Sequence, residues 1–291
     1  MTLRLAILYT ICLSFCQAAE PVFIDDAKIE QDFIDQLSAL AKKEDILTMR
    51  QAEVALKKSR SRQVSIPAIP SKTSPETPAS LYRHCAPSVV SIGSIFQCGK
   101  CEEWHSAGAA SGWIASPDGL IVTNAHLFEN GKDDPIGVMT LDGEIFAVKE
   151  IVAADVDKDI AILRIDPGNK TLPTLPLANS AEPGEEVHVI SHPQGQYYCL
   201  TSGKISRFHR DHLKEDQKPT DWMSITADFA GGSSGGPVLN KNGEVVGMVA
   251  STLTAYSEAS DCKTHPGPDV QMVFKDCIPL RSLRAMFQSR E

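Results

Sequence analysis

The sequence of 291 residues predicts a mainly β fold of sandwich or barrel type, entered through a helical N-terminal region and closed by a short C-terminal helix. Three observations predict it. Short runs rich in β-branched and apolar residues recur from about residue 81 onward. Asp118-Gly119, Asp142-Gly143 and Asn242-Gly243, dipeptides suited to tight hairpin turns, punctuate those runs. Few windows in the same region show helical periodicity.

Taken in chain order, the first element reads as an export signal. Arg4 precedes a twelve-residue apolar run, Leu5 to Cys16, and the small residues Ala18 and Ala19 follow it. The run is too short to span a bilayer, which needs about 20 apolar residues. Bulky Phe15 argues against a lipid anchor on Cys16. Residues 1–19 are therefore expected to be a cleaved signal peptide, leaving a secreted or periplasmic chain with no stable membrane insertion. In that oxidising setting the six remaining cysteines, Cys85, Cys98, Cys101, Cys199, Cys262 and Cys277, are disulfide candidates, and their pairing is not fixed by sequence.

Residues 20–60 form the helical region. Ile29, Phe33, Ile34, Leu37, Leu40 and Ala41 recur at helical spacing, acidic residues gather early, and Lys57, Lys58 and Arg60 come late, in accord with the helix dipole. These helices either pack on the main domain or set a homo-oligomeric state. Glu44 and Gln51 break the seam that a coiled coil would need. Residues 61–80 hold Pro67, Pro70, Pro75 and Pro78 and read as an extended linker. The expected strands then run Val89 to Ile95, Gly112 to Thr123, Gly137 to Val148, Asp159 to Ile165, Glu186 to Ser191, Met223 to Asp228 and Glu244 to Ser251. Leu280 to Phe287, within 278–291, reads as the closing helix. A net charge of −9 without a long basic stripe speaks against nucleic acid as a partner.

The chemistry concentrates in Gly232-Ser233-Ser234-Gly235-Gly236-Pro237, between two strands. Glycines around a serine let the backbone fold tightly, so that successive amides face one hole while the hydroxyl stays accessible. A nucleophilic serine needs a base, and the base needs an orienting acid. His126 ends the apolar strand that leads into Thr123-Asn124-Ala125-His126, and Asp159 heads the apolar run Asp159-Ile160-Ala161-Ile162-Leu163. Alone, each is an ordinary surface histidine or strand-capping acid; together, in the order His, Asp, Ser, they suggest a triad.

These three motifs in this order resemble the trypsin-like, chymotrypsin-fold serine proteases, specifically their HtrA/Deg-like bacterial branch. Ser88-Val89-Val90-Ser91-Ile92, Ser111-Gly112-Trp113-Ile114, Val189 to Gly195 and Thr201-Ser202-Gly203 extend the likeness, which covers roughly residues 81–277. The resemblance implies two six-stranded antiparallel β-barrels with the site in the cleft between them. It implies Ser234 as nucleophile, His126 as general base and acid, Asp159 as orienting acid, and the amides of Gly232 and Ser234 as oxyanion hole, with polypeptide substrates and no metal or organic cofactor. Ser233 is the less favoured nucleophile, because Gly-Gly-Pro follows Ser234.

The departures matter too. Residue 233 is Ser where digestive-type relatives carry Asp, so activation by pairing a new N-terminus with that acid is not expected. The chain also ends soon after the second barrel, and no PDZ domain is expected. Asp228 lies six residues before Ser234, the offset of a specificity-pocket floor in trypsin-like relatives, with a structural role as the alternative; Ala250, Ser251 and Thr252 are expected along the pocket wall. Cys98-Gly99-Lys100-Cys101, with Trp104-His105, admits a disulfide, a zinc site or a redox pair, and the disulfide is favoured in an exported chain. The functional alternative is a non-catalytic peptide-binding or scaffold protein that uses the same cleft.

Overall fold

The structure is a computed structural model, and it describes residues 23–43, 45–59, 62–66, 77–211, 219–257 and 269–289. The expected signal peptide lies outside the described residues, as do Cys262 and residues 67–76 of the linker. In chain order the elements are α1 (Asp26–Ala41), α2 (Met49–Lys58), β1 (Val64–Ile66), α3 (Pro78–Cys85), β2 (Val89–Gln97), β3 (Trp104–Ser116), β4 (Leu120–Thr123), β5 (Ile136–Met139), β6 (Ile145–Asp155), β7 (Ile160–Ile165), β8 (Glu186–Ser191), β9 (Cys199–Asp211), β10 (Thr220–Ile225), β11 (Pro237–Asn240), β12 (Val245–Tyr256), β13 (Val270–Pro279), α4 (Leu280–Arg284) and β14 (Phe287–Ser289).

Strands β2-β3-β4-β7-β6-β5 close one six-stranded barrel, and β10-β13-β12-β11-β8-β9 close a second. Every neighbouring pair in both barrels is antiparallel. Closure gives every barrel strand two neighbours, and apolar side chains fill each interior. Val90, Ile114, Ile121, Leu163 and Val148 belong to the first core; Val187, Val189, Met223, Val238 and Val249 belong to the second. The long expected spans Gly112 to Thr123 and Gly137 to Val148 each resolve into two strands folded about the Asp118-Gly119 and Asp142-Gly143 turns.

The N-terminal helices lie on the first barrel. Phe33 and Leu37 of α1 are buried, and glycines on the barrel wall make room for them. A Cβ at Gly137 would press on the Leu37 side chain, and one at Gly93 on the Phe33 ring. Before α2, Leu47 donates to Val148 O at 3.0 Å and accepts from Ile136 N at 3.1 Å, which stitches this segment to the barrel backbone. Ala52 and Leu56 then bury the apolar face of α2, whose start is held by a reciprocal cap between Thr48 and Gln51. The N-terminal end of α1 also reaches the second barrel, where Asp26 Oδ1 accepts from Tyr197 N at 3.0 Å. No helix among the described residues is long and apolar enough to cross a membrane.

Two expectations change here. Residues 61–80 are not a spacer throughout. Val64–Ile66 pairs in parallel with Phe287–Ser289, and Thr77 with Ser80 caps a helix that starts at Pro78. Proline fits there because the first turn of a helix has no partner for its missing N–H. The closing helix is shorter than expected, ending at Arg284, because Phe287–Ser289 is drawn into that two-stranded pair.

Leu37→Ala is expected to lower stability by about 2–5 kcal/mol, since it empties a fully enclosed site between helix and barrel. Val54→Ala, at an exposed position on α2, should change little. Thermal or urea unfolding of both variants checks this.

Candidate active site

His126 follows β4 at the head of a short 3-10 turn, and Asp159 sits immediately before β7. Strands β4 and β7 are paired, Thr123 opposite Ala161, so the two residues leave the same end of the barrel together. Asp159 adopts a left-handed backbone (φ 57°, ψ 43°), a conformation that Asp tolerates better than most residues. That turn aims both carboxylate oxygens at the histidine. Oδ1 accepts from His126 N at 2.8 Å, and Oδ2 accepts from His126 Nδ1 at 2.7 Å. The Asp159 carbonyl takes Asn124 Nδ2 at 3.1 Å and Ala125 N at 3.3 Å, which fixes the backbone between the two residues. With its proton held on Nδ1, the imidazole leaves Nε2 with a free lone pair.

Burial alone would lower the His126 pKa, but the Asp159 hydrogen bond and charge, with Glu129 adding, outweigh it, and the value is raised above the ordinary 6.5. The sign follows from linkage. The raised value adds stability that is fully present below 6.5 and is lost as pH rises through the folded value.

Ser234 lies in the loop between β10 and β11. Gly232 (φ 91°) and Gly235 (φ 85°) take left-handed conformations on either side of it. Neither could carry a side chain. A Cβ at Gly232 would collide with His192 O, and one at Gly235 with Ser111 O and Thr123 Oγ1. Within the loop, Ser233 N donates to Ala230 O, Gly235 N to Val249 O, and Gly236 N to Ser233 O. The amides of Gly232 and Ser234 find no acceptor among the described residues and stay available to a ligand. The Ser234 hydroxyl also makes no hydrogen bond among the described residues, so the structure joins His126 to Asp159 but does not close a serine–histidine bond. Such bonds are often long in unliganded sites and tighten around substrate.

Ser111 of β3 is the residue that sequence reasoning missed. It is fully buried. Its N–H donates to Ser234 O at 2.9 Å, and its hydroxyl donates to Gly232 O at 2.9 Å. The same hydroxyl accepts from His192 N at 3.0 Å, and its carbonyl accepts from Thr123 Oγ1 at 2.8 Å. One side chain and its backbone thus tie the serine loop of the second barrel to the strand that carries His126. The available signal was its place in Ser111-Gly112-Trp113-Ile114; nothing in the residue type announced the role.

Other expected residues fall elsewhere. The Asp228 side chain is 87% exposed and pairs at 3.6 Å with Lys275, itself 14% exposed. This carboxylate faces solvent, with a lysine beside it, an arrangement nearer to the structural alternative than to an enclosed pocket floor. Lys275 also donates to Phe229 O at 2.6 Å and lies 5.2 Å from the Phe229 ring, which holds the cation in place. Ala250, Ser251 and Thr252 lie on β12 at and beyond the register shift that follows Val249, with Ser251 and Thr252 exposed. Ser233 is fully buried, and its hydroxyl accepts from Ser191 Oγ at 3.0 Å and Ala230 N at 3.4 Å. The position where digestive-type relatives carry an acid is thus closed by neutral hydroxyls. The five described cysteines, Cys85, Cys98, Cys101, Cys199 and Cys277, are not bonded to one another, and Cys262 lies outside the described residues. Cys85 and Cys277 act as small apolar core residues, with burial pushing the Cys85 thiol up to about 12 and Cys277 well above its ordinary value.

Comparison with known proteins agrees with this geometry. Residues 110–248 match the trypsin-like peptidase domain family. The matched span runs from β3 to β12 and so takes in strands of both barrels. Its relatives include the probable periplasmic serine endoprotease DegP-like of Halomonas elongata, 38% identical over 158 residues, which are 54% of this chain and 31% of that protein. Serine protease HTRA1A of Danio rerio is 34% identical over 181 residues, covering 61% of this chain and 37% of its own length. Serine protease HTRA3 of Homo sapiens is 33% identical over 187 residues, covering 61% and 40%. The chain therefore spans about a third of the length of the curated relatives it matches.

The His126 ring should titrate by NMR with a midpoint above 6.5, and Asp159→Asn should bring it down by removing the charge that holds the proton. Ser111→Ala should cost about 1–3 kcal/mol, because it leaves Gly232 O and His192 N buried without their partner; the shift in the urea midpoint measures it.

Proposed function

We propose that this chain is an exported serine endopeptidase that cleaves polypeptides through an acyl-enzyme intermediate. The observations that carry the reading are the bidentate Asp159–His126 pair and a serine loop, tied through Ser111 to Thr123, that leaves two amides uncommitted. Ser234 Oγ attacks the scissile carbonyl while His126 Nε2 takes its proton. The oxyanion that develops is received by the amides of Gly232 and Ser234, and the imidazolium is stabilised by Asp159. His126 then returns the proton to the leaving amine, and water repeats the sequence in reverse to free the acid product. Substrate enters as an extended segment along β12 at Ala250, Ser251 and Thr252. Export rests on the N-terminal apolar run and on the periplasmic name of one relative.

The solvent-facing Asp228, with Lys275 beside it, favours small uncharged side chains before the cut over Arg or Lys. Because Ser233 is satisfied inside the loop, no new N-terminus is needed to order the site.

Mature protein should hydrolyse casein and take a fluorophosphonate label on Ser234. Ser234→Ala should lose both with its melting temperature unchanged, and Asp159→Asn should lower kcat by about 10⁴-fold. A folded parent that is neither labelled nor active, yet binds peptide, would instead identify the non-catalytic alternative. A peptide-library profile read at the residue before the cut tests the specificity; a preference for Arg or Lys would overturn that part.

A further inference from the structure

The hairpin joining β2 to β3 carries chemistry that the proposed peptidase reaction does not use. Its last paired residues are Gln97 with Trp104 and Phe96 with His105, so residues 98–103 form the turn. Gly99 takes a left-handed backbone (φ 71°) with open space around it, which folds Cys98 and Cys101 onto the same side. Cys98 Sγ and Cys101 Sγ stand 3.3 Å apart, and Cys101 Sγ stands 3.0 Å from His105 Nε2. All three donor atoms lie within 4.8 Å of one another. Lys100 N points at Cys98 Sγ from 3.4 Å, an amide that offsets negative charge on sulfur. The Phe96 ring, 5.5 Å from that of His105, braces the imidazole.

We propose that Cys98 Sγ, Cys101 Sγ and His105 Nε2 bind one zinc ion at the tip of this hairpin, with solvent in the fourth position. The distances favour this over the alternatives. A tetrahedral ion with Zn–S of about 2.3 Å and Zn–N of about 2.0 Å sets S···S near about 3.8 Å and S···N near about 3.6 Å. Each observed separation needs to open by about half an ångström to reach those values. A disulfide needs the sulfurs to close from 3.3 Å to about 2.05 Å and leaves His105 without a role. Two thiolates and an imidazole suit a borderline-soft ion and reject magnesium and calcium, which require oxygen ligands. Binding releases the two thiol protons to solvent. The ion would stiffen the hairpin whose β3 strand, on the order of 20 Å further along, carries Ser111.

The test uses the full mature chain, reduced, stripped with chelator and titrated with Co²⁺ and then Zn²⁺. One equivalent of Co²⁺ should give sulfur-to-metal charge-transfer absorption and the intense visible bands of a tetrahedral ion, and one equivalent of Zn²⁺ should abolish them. Cys98→Ser and Cys101→Ser should each remove the charge-transfer band or reduce it by about half, His105→Ala should weaken binding by at least about 10-fold, and Cys199→Ser should change nothing. The turn is exposed, so far-UV and near-UV dichroism should show all variants folded. Reduced parent protein with no charge-transfer band overturns the proposal, and so does binding that survives in the Cys98→Ser/Cys101→Ser double variant.

Discussion

Four hydrogen bonds converge on Ser111, and the geometry of the site depends on them. The residue sits on the first barrel and grips the serine loop of the second through both its amide and its hydroxyl. Its carbonyl receives Thr123, three residues before His126. The two halves of the candidate site are thus positioned by one buried residue with no solvent-exposed atoms to compete for its bonds. Buried polar groups of this kind are costly when partly satisfied and rigid when fully satisfied. Here every donor and acceptor of the residue is used.

That convergence is possible because side chains are absent where backbones must approach. Gly232 and Gly235 let the serine loop touch His192 O, Ser111 O and Thr123. Gly93 and Gly137 make room for the Phe33 ring and the Leu37 side chain where α1 settles against the first barrel. The N-terminal helices are part of the protomer's own packing, because Phe33, Leu37, Ala52 and Leu56 spend their apolar surface on the barrel. Asp26 links the same helix to Tyr197 beyond the cleft. The first barrel is therefore clasped from outside by α1 and α2 and joined from inside by Ser111.

Charge is handled sparingly around the site. The Asp159 carboxylate is committed to His126 through both oxygens, and the Asp228 carboxylate is set beside Lys275. His192, fully buried, accepts from Tyr198 N at 3.0 Å, and burial lowers its pKa to about 4, so it stays neutral and supports the loop without competing with His126 for a proton. Ser191 Oγ donates to Ser233 Oγ at 3.0 Å, a buried contact between two neutral hydroxyls.

The amino-acid sequence by itself determined the mainly β class of fold and seven of the strand-bearing spans, and it singled out His126, Asp159 and Ser234 as candidates. These were legible because they depend on local signals: β-branched runs, Asp-Gly and Asn-Gly turns, and short motifs in a fixed order. Strands β9 and β13 escaped, since His209, Arg210, Lys275 and Asp276 interrupt their alternation and their pairing is settled by barrel closure. The even cysteine count suggested disulfides, but a count carries no distance, and folding sent Cys85 and Cys277 into cores and Cys98 and Cys101 to an exposed turn. Offset alone placed Asp228 at a pocket floor, whereas the strand carrying Lys275 decided its surroundings. Ser111 was invisible for the same reason. Residue type and spacing along the chain encode local conformation, while burial, pairing and contact across barrels exist only when distant segments meet.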